Sequence, residues 1–329
     1  MKAISYTAFG AAADVLQLVD VPTPQPQAGE VLVKLATSGV NPSDIRARAG
    51  GRPGVTKPPF PTIIPHSDGA GVIAAVGEGV DAARVGERVW IWNGQWQRAF
   101  GTAAEYIALP FEQAAPLPDN VSFAQGAVLG IPALTAVHTV LGAGPVAGKT
   151  ILVSGGGGTV GYLAIQVAAA SGAIVITTCG NDADQEAALA AGARAALNYR
   201  SETLAADILE ASGGALIDLA VEVEFGQNIG VLTEVIREGG RIVAYGSAKE
   251  MTPMLPFYPL MFKAVSIDLA LIYLLDEAQR KTAIAHLTDL LERDALNLRI
   301  AETLPLKDCA KAHDMVAAGA RSGAVILEI

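Results

Sequence analysis

A glycine-rich turn near the middle of the chain offers the clearest chemistry in the sequence. Apolar residues 151–153 predict a short β-strand, a run of glycines follows, and the Ala-rich residues 162–170 predict a helix. Gly155, Gly158 and Gly161 are spaced three residues apart. Glycines at this spacing let the chain turn sharply, bring its backbone against a pyrophosphate and pack the helix on the strand. Because the first N–H groups of such a helix bind phosphate, the turn predicts a dinucleotide site.

The residues after the next strand indicate which dinucleotide is bound. Folds that select NAD carry an acidic residue at the end of the second strand, where it binds the ribose 2′-OH. Here that strand runs into Thr177 and Thr178, and the first carboxylate is Asp182. The missing carboxylate permits a 2′-phosphate and predicts NADPH, with Tyr199 and Arg200 within reach of that phosphate. The alternative that Tyr199 and Arg200 are ordinary surface-loop residues stays open.

The sequence contains no recognisable metal motif. His66, followed by Ser67 and Asp68, has no ligand partners at the spacing that a tetrahedral zinc site needs. We therefore expect His66 to be structural and expect no bound metal. The two cysteines, Cys179 and Cys309, lie far apart in the sequence and indicate neither a disulfide framework nor a metal site.

The elements that must position these residues divide the chain in two. Residues 1 to about 120 contain short apolar strands at 30–35, 71–77 and 88–92, separated by proline-rich loops, and predict a barrel-like β domain. From Phe123 onward, Ala-rich helices alternate with apolar strands, which predicts a parallel sheet with helices on both faces. The predicted strands of that sheet are 151–153, 174–177, 217–221, 241–245 and 266–271.

Length and pattern also set the predicted domain bounds. At 329 residues, two domains are the natural expectation. We predict a first domain at 1–123, completed by 274–329, and a second domain at 124–273. The returning segment is predicted to contain a helix at 277–292, a strand near Ile300 and a final strand at 324–329.

Composition excludes several classes of function. Lys and Arg number 23 against 33 Asp and Glu, so the net charge of −10 argues against nucleic acid as the main partner. No apolar run approaches the about 18 uncharged residues of a membrane span, so no membrane partner is expected. Residues 1–10 lack the apolar core of a signal peptide, and the expected compartment is the cytoplasm.

Several segments together resemble the medium-chain dehydrogenase/reductase superfamily, in its zinc-free quinone oxidoreductase (zeta-crystallin-like) branch. The resemblance covers nearly the whole chain. It implies an α/β fold with a GroES-like β-barrel domain and a Rossmann domain whose doubly wound sheet is parallel. It also implies a homodimer that pairs through the strand at 266–271. The segments are 39–44 (GVNPSD), 69–73 (GAGVI), 76–77 (VG), 85–89 (VGERV), 101–106 (GTAAEY), 131–136 (IPALTA), the glycine turn, 239–243 (GGRIV) and 246–247 (GS).

The resemblance also bears on zinc. The zinc alcohol dehydrogenases of this superfamily carry a cysteine ligand in the segment that matches residues 38–44, where this chain has Asn41 and no cysteine. Their histidine ligand falls on Ser67, because His66 matches the glycine that precedes it. Without zinc nothing polarises an alkoxide at neutral pH, so alcohol oxidation is not expected. The expected reaction is hydride delivery from NADPH to a quinone or an α,β-unsaturated carbonyl.

The resemblance implies a set of site residues. For catalysis, Asn41 and Arg46 would stabilise the negative oxygen that develops on the acceptor. The chain departs from its relatives at Arg46, where they usually carry tyrosine, and at Asp184, where some carry a phosphate-binding lysine. The implied cofactor-binding residues are Asn41, Thr135, Gly155, Gly158, Thr159, Val160, Gly161, Tyr199, Gly246, Ser247 and Leu271.

Two other functions remain open from the sequence. An NADPH-dependent enoyl or alkenal reductase uses the same hydride step on an α,β-unsaturated carbonyl. A non-enzymatic, crystallin-like NADPH-binding protein, with RNA as a partner, belongs to a different class. The net charge of −10 argues against the RNA partner.

Overall fold

The chain folds into two compact units. The computed structural model describes residues 1–51, 54–319 and 321–329. Unit 1 comprises Met1–Ile131 and Leu298–Ile329, and unit 2 comprises Pro132–Asn297.

The unit bounds differ from the predicted domain bounds. The first boundary lies after residue 131 rather than 123, and the second after residue 297 rather than 273. The helix Glu277–Glu292 accounts for the second difference, because it packs on the helix Leu134–Leu141 of unit 2.

Fifteen strands form the three sheets of the described chain. In chain order the strands are β1 Lys2–Ser5, β2 Gln17–Asp20, β3 Glu30–Val40, β4 Asp68–Val76, β5 Arg88–Ile91, β6 Tyr106–Pro110, β7 Ala114–Pro116, β8 Thr150–Val153, β9 Ile174–Cys179, β10 Ala195–Asn198, β11 Ile217–Glu222, β12 Ile236–Ala244, β13 Ser266–Leu269, β14 Ile300–Pro305 and β15 Ala324–Glu328.

Eleven α-helices accompany the strands in the part of the chain that is described. In that part, no helix combines the length and the apolar character needed to cross a membrane. The helices are α1 Ala12–Val15, α2 Pro42–Arg48, α3 Phe123–Gly126, α4 Leu134–Leu141, α5 Thr159–Ala170, α6 Asp182–Ala190, α7 Leu204–Ala211, α8 Phe225–Val235, α9 Phe257–Phe262, α10 Glu277–Glu292 and α11 Cys309–Ala318.

Unit 1 is built around one long strand. β3 pairs antiparallel with β4, β6 and β15, and the sheet continues through β5 to β7 on one side and to β14 on the other. Fully buried apolar side chains, among them Val33, Ile73 and Val89, form its core. β15 pairs with β3, so residues 298–329 belong to unit 1. The β architecture predicted for the first domain is confirmed.

Unit 2 contains a six-stranded sheet in which every neighbouring pair is parallel. The strand order is β10-β9-β8-β11-β12-β13. When the strands are numbered within the sheet, the order is 3-2-1-4-5-6, which is that of the dinucleotide-binding folds. The strand order reverses at β8. The central strands β8 and β11 are mostly apolar and buried, because helices cover both faces of such a sheet. The predicted doubly wound fold is therefore confirmed.

The last strand of this sheet leaves apolar side chains exposed. β13 ends the strand order and pairs with β12. Leu269 is 78% exposed, and Leu271 and Leu274 beyond it are also exposed. The predicted edge strand is present, four residues long rather than six.

Candidate dinucleotide and catalytic sites

The glycine turn has the predicted strand–turn–helix geometry. Gly155 follows β8 with φ +70°, a left-handed conformation that side chains disfavour. Gly158 caps the N-terminus of α5, where an added Cβ would stand 3.3 Å from the carbonyl oxygen of Gly155. At Gly161 an added Cβ would overlap that same oxygen. The first glycine therefore permits the turn, and the third permits the helix to pack directly against it.

The N-terminus of α5 presents free donors. The helix begins at Thr159, three residues earlier than predicted, and its first intrahelical bond runs from the N–H of Tyr162 to the carbonyl of Gly158, 2.8 Å away. Helix geometry leaves the N–H groups of Thr159, Val160 and Gly161 without an intrahelical acceptor, at the positive end of a 12-residue helix. This arrangement can bind an anion such as a pyrophosphate.

One acidic side chain lies beside the turn. The carboxylate of Asp184, in α6, fills the space that a Cβ on Gly157 would need. It accepts a hydrogen bond from Nδ2 of Asn181 at 2.8 Å. A negative charge therefore lies next to the backbone of the glycine turn. By the resemblance, some relatives carry a phosphate-binding lysine at the position of Asp184.

Cationic side chains lie near the segment that follows β10. Tyr199 packs against Gly180, and the guanidinium of Arg200 lies 4.5 Å from the centre of its ring. Arg200 also donates from Nη1 to the carbonyl of Gly180 at 2.6 Å, and Nζ of Lys249 lies 5.9 Å from the same ring. Tyr199 and Arg200 thus form a positively charged edge with Lys249, a residue that the sequence analysis did not single out.

Two predicted residues lie in the loop after β12. A Cβ on Gly246 would overlap the carbonyl oxygen of Val223, and the Gly246 carbonyl accepts from the N–H of Phe225 at 3.0 Å. Ser247 accepts from the N–H of Gly226 at 2.9 Å and donates to the loop carbonyl of Glu250. Since Val223 also contacts the position of a Cβ on Gly155, the structure brings this loop and the glycine turn together.

Two acidic residues that sequence reasoning missed hold this loop. Glu222 is buried at the end of β11 and accepts from the N–H of Glu224 at 2.5 Å and from Nδ2 of Asn228 at 2.9 Å. Burial raises the pKa of the Glu222 carboxyl above its usual range. The Glu224 carboxylate accepts from the N–H groups of Ala248 and Lys249, at 3.0 and 2.8 Å. No local motif marked either residue.

The two remaining predicted residues of unit 2, Thr135 and Leu271, lie outside the glycine turn. Thr135 is buried in the first turn of α4. Leu271 lines a groove of about 520 Å³ beside β13, together with His138, Arg241 and Asp268. None of the glycine-turn residues lines that groove, so Leu271 is not grouped with them.

In unit 1, Asn41 is held by a buried carboxylate. Its Nδ2 donates to Oδ2 of Asp68 at 2.9 Å, and the same oxygen accepts from the N–H of Ile131 at 3.1 Å. Burial raises the pKa of Asp68 well above its usual range, although both hydrogen bonds oppose that shift. The N–H of Asn41 donates to the carboxylate of Asp44 at 2.8 Å, which fixes the residue at the start of α2. Asp68 is thus a positioning residue that sequence reasoning left without a role.

The second predicted catalytic residue differs in environment. Arg46 is exposed on α2, whereas Arg48 on the same helix is buried and donates to the carbonyl of Gly10 at 2.5 Å. Arg46 can meet a ligand from solvent, and the described part of the chain shows no hydrogen bond between its side chain and Asn41.

The prediction that His66 lacks metal-ligand partners is wrong. Its Nε2 lies 2.9 Å from Nε2 of His313 and 3.8 Å from Sγ of Cys309. All three side chains are fully buried, and burial lowers the pKa of both histidines, that of His313 to about 3. The spacing rule failed because 243 residues separate His66 from Cys309 in the sequence.

The fold and the turn define a two-unit oxidoreductase of the dinucleotide-binding class, and comparisons with known proteins place it further. An alcohol dehydrogenase GroES-like domain model matches residues 27–119, and a zinc-binding dehydrogenase model matches residues 159–289. The quinone oxidoreductases of Rattus norvegicus and Homo sapiens are each 31% identical over 99% of this chain and 97% of their own.

Solved structures agree with this likeness. The quinone oxidoreductase of Escherichia coli, solved in complex with NADPH, superposes with a TM-score of 0.87 at 25% identity over 100% of both chains. A mycobacterial protein in complex with NADPH superposes equally well at 27% identity, again over 100% of both chains. The chain belongs to the medium-chain dehydrogenase/reductase superfamily, in its quinone oxidoreductase branch, and is an oxidoreductase.

The zinc-binding dehydrogenase model implies zinc by its name. The residues at the positions where the resemblance places the zinc ligands of relatives, Asn41 and Ser67, do not fit this metal. Asn41 offers an amide that already donates to Asp68, and the Ser67 hydroxyl accepts from the N–H of Gln95 at 3.4 Å. Catalytic zinc sites take thiolate, imidazole and carboxylate ligands. An amide and a hydroxyl at these positions do not make that ligand set.

Proposed function

We propose that the protein is an NADPH-dependent quinone oxidoreductase whose hydride transfer does not use zinc. The observation that carries the proposal is the anion site at the N-terminus of α5, which lies at the switch strand of a 3-2-1-4-5-6 sheet. The two similar structures that contain NADPH support this cofactor. The amide and hydroxyl at the zinc-ligand positions support a reaction without zinc.

In this proposal the residues of the chain bind the cofactor, orient its nicotinamide and stabilise the negative charge that develops on the acceptor. When bound, NADPH supplies the hydride equivalent. The N–H groups of Thr159, Val160 and Gly161 would hold the pyrophosphate, and Thr135 would orient the nicotinamide. One proton completes the reduction: one NADPH and one proton convert a quinone into a hydroquinone, with NADP⁺ as the other product.

Asn41 is the first candidate for stabilising the negative charge that develops on the acceptor. One of its amide hydrogens goes to Asp68, which fixes the plane of the amide. The other hydrogen can donate to the oxygen that becomes negative when the acceptor receives hydride, and a preorganised donor lowers the barrier of such a step. Arg46 is the second candidate for that stabilisation, and the proton comes from water or from a group of the pocket.

The acceptor decides between the two reductase functions. We expect NADPH oxidation with a series of quinones at a kcat/KM about tenfold or more above that with enones or 2-enoyl thioesters. Steady-state assays measure this, and elemental analysis of the same active sample should give well under one zinc per chain. Preference for enones would favour the alkenal reductase. Near-stoichiometric zinc that activity requires would contradict the zinc-free reaction.

Gly158→Asp tests the anion site. The aspartate places a negative charge where backbone N–H groups would meet the pyrophosphate, so we expect NADPH affinity to fall about 100-fold or more. Gly158→Ala is the matched control, because its Cβ would stand 3.3 Å from the Gly155 carbonyl oxygen and adds no charge. Titration calorimetry measures both variants, and thermal melting confirms their folding. Unchanged affinity in Gly158→Asp would mean that the turn is purely structural.

The balance between Arg200 and Asp184 sets the proposed preference for NADPH over NADH. Contacts from Arg200, Tyr199 and Lys249 to the 2′-phosphate favour NADPH by about tenfold or more in kcat/KM. Asp184→Asn should raise that ratio, since it removes a negative charge beside the turn, and Arg200→Ala should lower it. Asp182→Asn, an exposed change of the same charge, should leave the ratio unchanged.

Steady-state kinetics with both cofactors and one quinone test this balance. Equal efficiencies in the wild type would contradict the NADPH preference. An unchanged ratio in Arg200→Ala would remove Arg200 from the explanation and leave the preference itself standing.

We further propose a homodimer that covers β13. An unpaired apolar edge promotes aggregation unless another strand covers it. Light scattering should give twice the chain mass of 33.8 kDa. Leu269→Lys should shift the protein to the monomer, while the same change at Leu189, which is exposed on α6, should not. A monomeric wild type would contradict this assembly.

A further inference from the structure

His66, Cys309 and His313 form a buried triad that lies outside the proposed hydride-transfer chemistry. Cys309 and His313 stand four residues apart on α11, so they project from one face of the helix. His66 approaches them from the loop before β4. The Sγ atom and the two imidazole nitrogens all lie within 4.8 Å of one another.

A chain of hydrogen bonds fixes the protonation of His66. Thr102 donates to the carbonyl oxygen of Asp68 at 2.5 Å, so its own oxygen accepts from the Ser38 hydroxyl at 2.8 Å. Ser38 in turn accepts from Nδ1 of His66 at 2.9 Å. Nδ1 therefore carries the proton of the neutral imidazole, and Nε2 presents a lone pair to His313.

The same chain leaves His313 incompletely satisfied. Its Nε2 must donate to Nε2 of His66, so its Nδ1 is unprotonated, and this buried atom has no hydrogen-bond partner among the described residues. Buried polar atoms usually have a hydrogen-bond partner. The unpaired Nδ1 of His313, in a cluster with a thiol and a second imidazole, is therefore not explained by packing alone.

The backbone of His66 supports a dedicated function for the triad. His66 has φ +77°, a left-handed conformation that is uncommon for a residue with a side chain. The strained conformation directs the imidazole towards α11. Strain of this kind persists where the surrounding structure over-determines it, and it occurs most often at functional sites.

We propose that the buried triad binds one monovalent copper ion, independently of hydride transfer. With metal–nitrogen and metal–sulfur distances of about 2.0 and 2.3 Å, a trigonal site places the two nitrogens about 3.5 Å apart and sulfur about 3.7 Å from nitrogen. The sulfur of Cys309 already stands 3.8 Å from Nε2 of His66. The two Nε2 atoms, which lie 2.9 Å apart, need to separate by about half an ångström as the metal replaces the shared proton.

Charge selects copper(I) over zinc(II). A thiolate and Cu⁺ together are neutral, whereas a thiolate and Zn²⁺ leave a net positive charge in a fully buried site, which is costly. Asp44 and Arg48, the charged groups that act on the Cys309 thiol, have opposite signs and do not compensate it. A thiolate with two imidazoles is also a ligand set that copper takes with three donors, while structural zinc takes four.

The binding step is balanced without any change of oxidation state. The Cys309 thiol loses its proton to solvent and its sulfur bonds to Cu⁺. The proton on Nε2 of His313 transfers to Nδ1, which frees Nε2 as the third ligand. One proton is therefore released for each ion bound.

Copper(I) supplied as its bicinchoninate complex under anaerobic conditions tests the proposal. The ion is added to the native protein and, separately, during refolding, because the triad is fully buried. The wild type should withdraw one Cu⁺ per chain, and Cys309→Ser and His313→Gln should each weaken binding about 100-fold or more. Cys179→Ser is the matched control, since Cys179 is also buried and lies outside the triad. Thermal melting checks that each variant folds.

Further measurements make each outcome decisive. X-ray absorption should show one sulfur and two nitrogen neighbours around the ion, and Ser38→Ala should weaken binding about tenfold by releasing the His66 ring. No uptake by the wild type, or equal uptake by Cys309→Ser, would overturn the proposal. If Cys309→Ser does not fold, His313→Gln decides in the same way. One equivalent of zinc that displaces copper and is lost in His313→Gln would refute the assignment of a monovalent ion.

Discussion

The close packing of α5 on the glycine turn is the constraint on which the rest of unit 2 depends. A side chain at Gly161 would overlap the carbonyl of Gly155, so only a bare backbone lets the helix start at this point. Because the helix starts there, its free N–H groups lie at the carboxyl end of β8, the strand at which the strand order of the sheet reverses. The loop at Gly246 meets the turn through Val223, so both segments border the anion site.

In unit 1 the main constraint is the burial of two polar side chains, Asp68 and Asn41. Asp68 is fully buried, with its Oδ2 satisfied by Asn41 and Ile131, and burial raises its pKa. Removing one partner of such a group leaves an unsatisfied buried atom, so Asn41 and Asp68 act as a pair. Where the resemblance places the cysteine ligand of zinc relatives, this chain has an oriented amide, which is not among the usual ligands of zinc.

The sequence predicted the features that local pattern determines. The glycine turn, the parallel strands and the edge strand are each encoded within a few consecutive residues, and the structure confirms them. Contacts between distant segments could not be read in this way. His66 meets Cys309 only because the loop before β4 and α11 fold together, and Asp68 meets Asn41 across 27 residues. The boundary at residue 297 depends on the packing of α10 against α4, which the pattern of α10 alone does not show.

A single-turnover experiment tests the central claim, direct hydride transfer to a quinone, most directly. NADPH with hydrogen or with deuterium at both C4 positions is mixed with enzyme and a quinone in an anaerobic stopped-flow instrument. The account predicts a slower decay of NADPH absorbance with deuterium, one hydroquinone formed per NADPH consumed, and no semiquinone signal in electron paramagnetic resonance. Equal rates for the two isotopologues, or accumulation of a semiquinone, would contradict it.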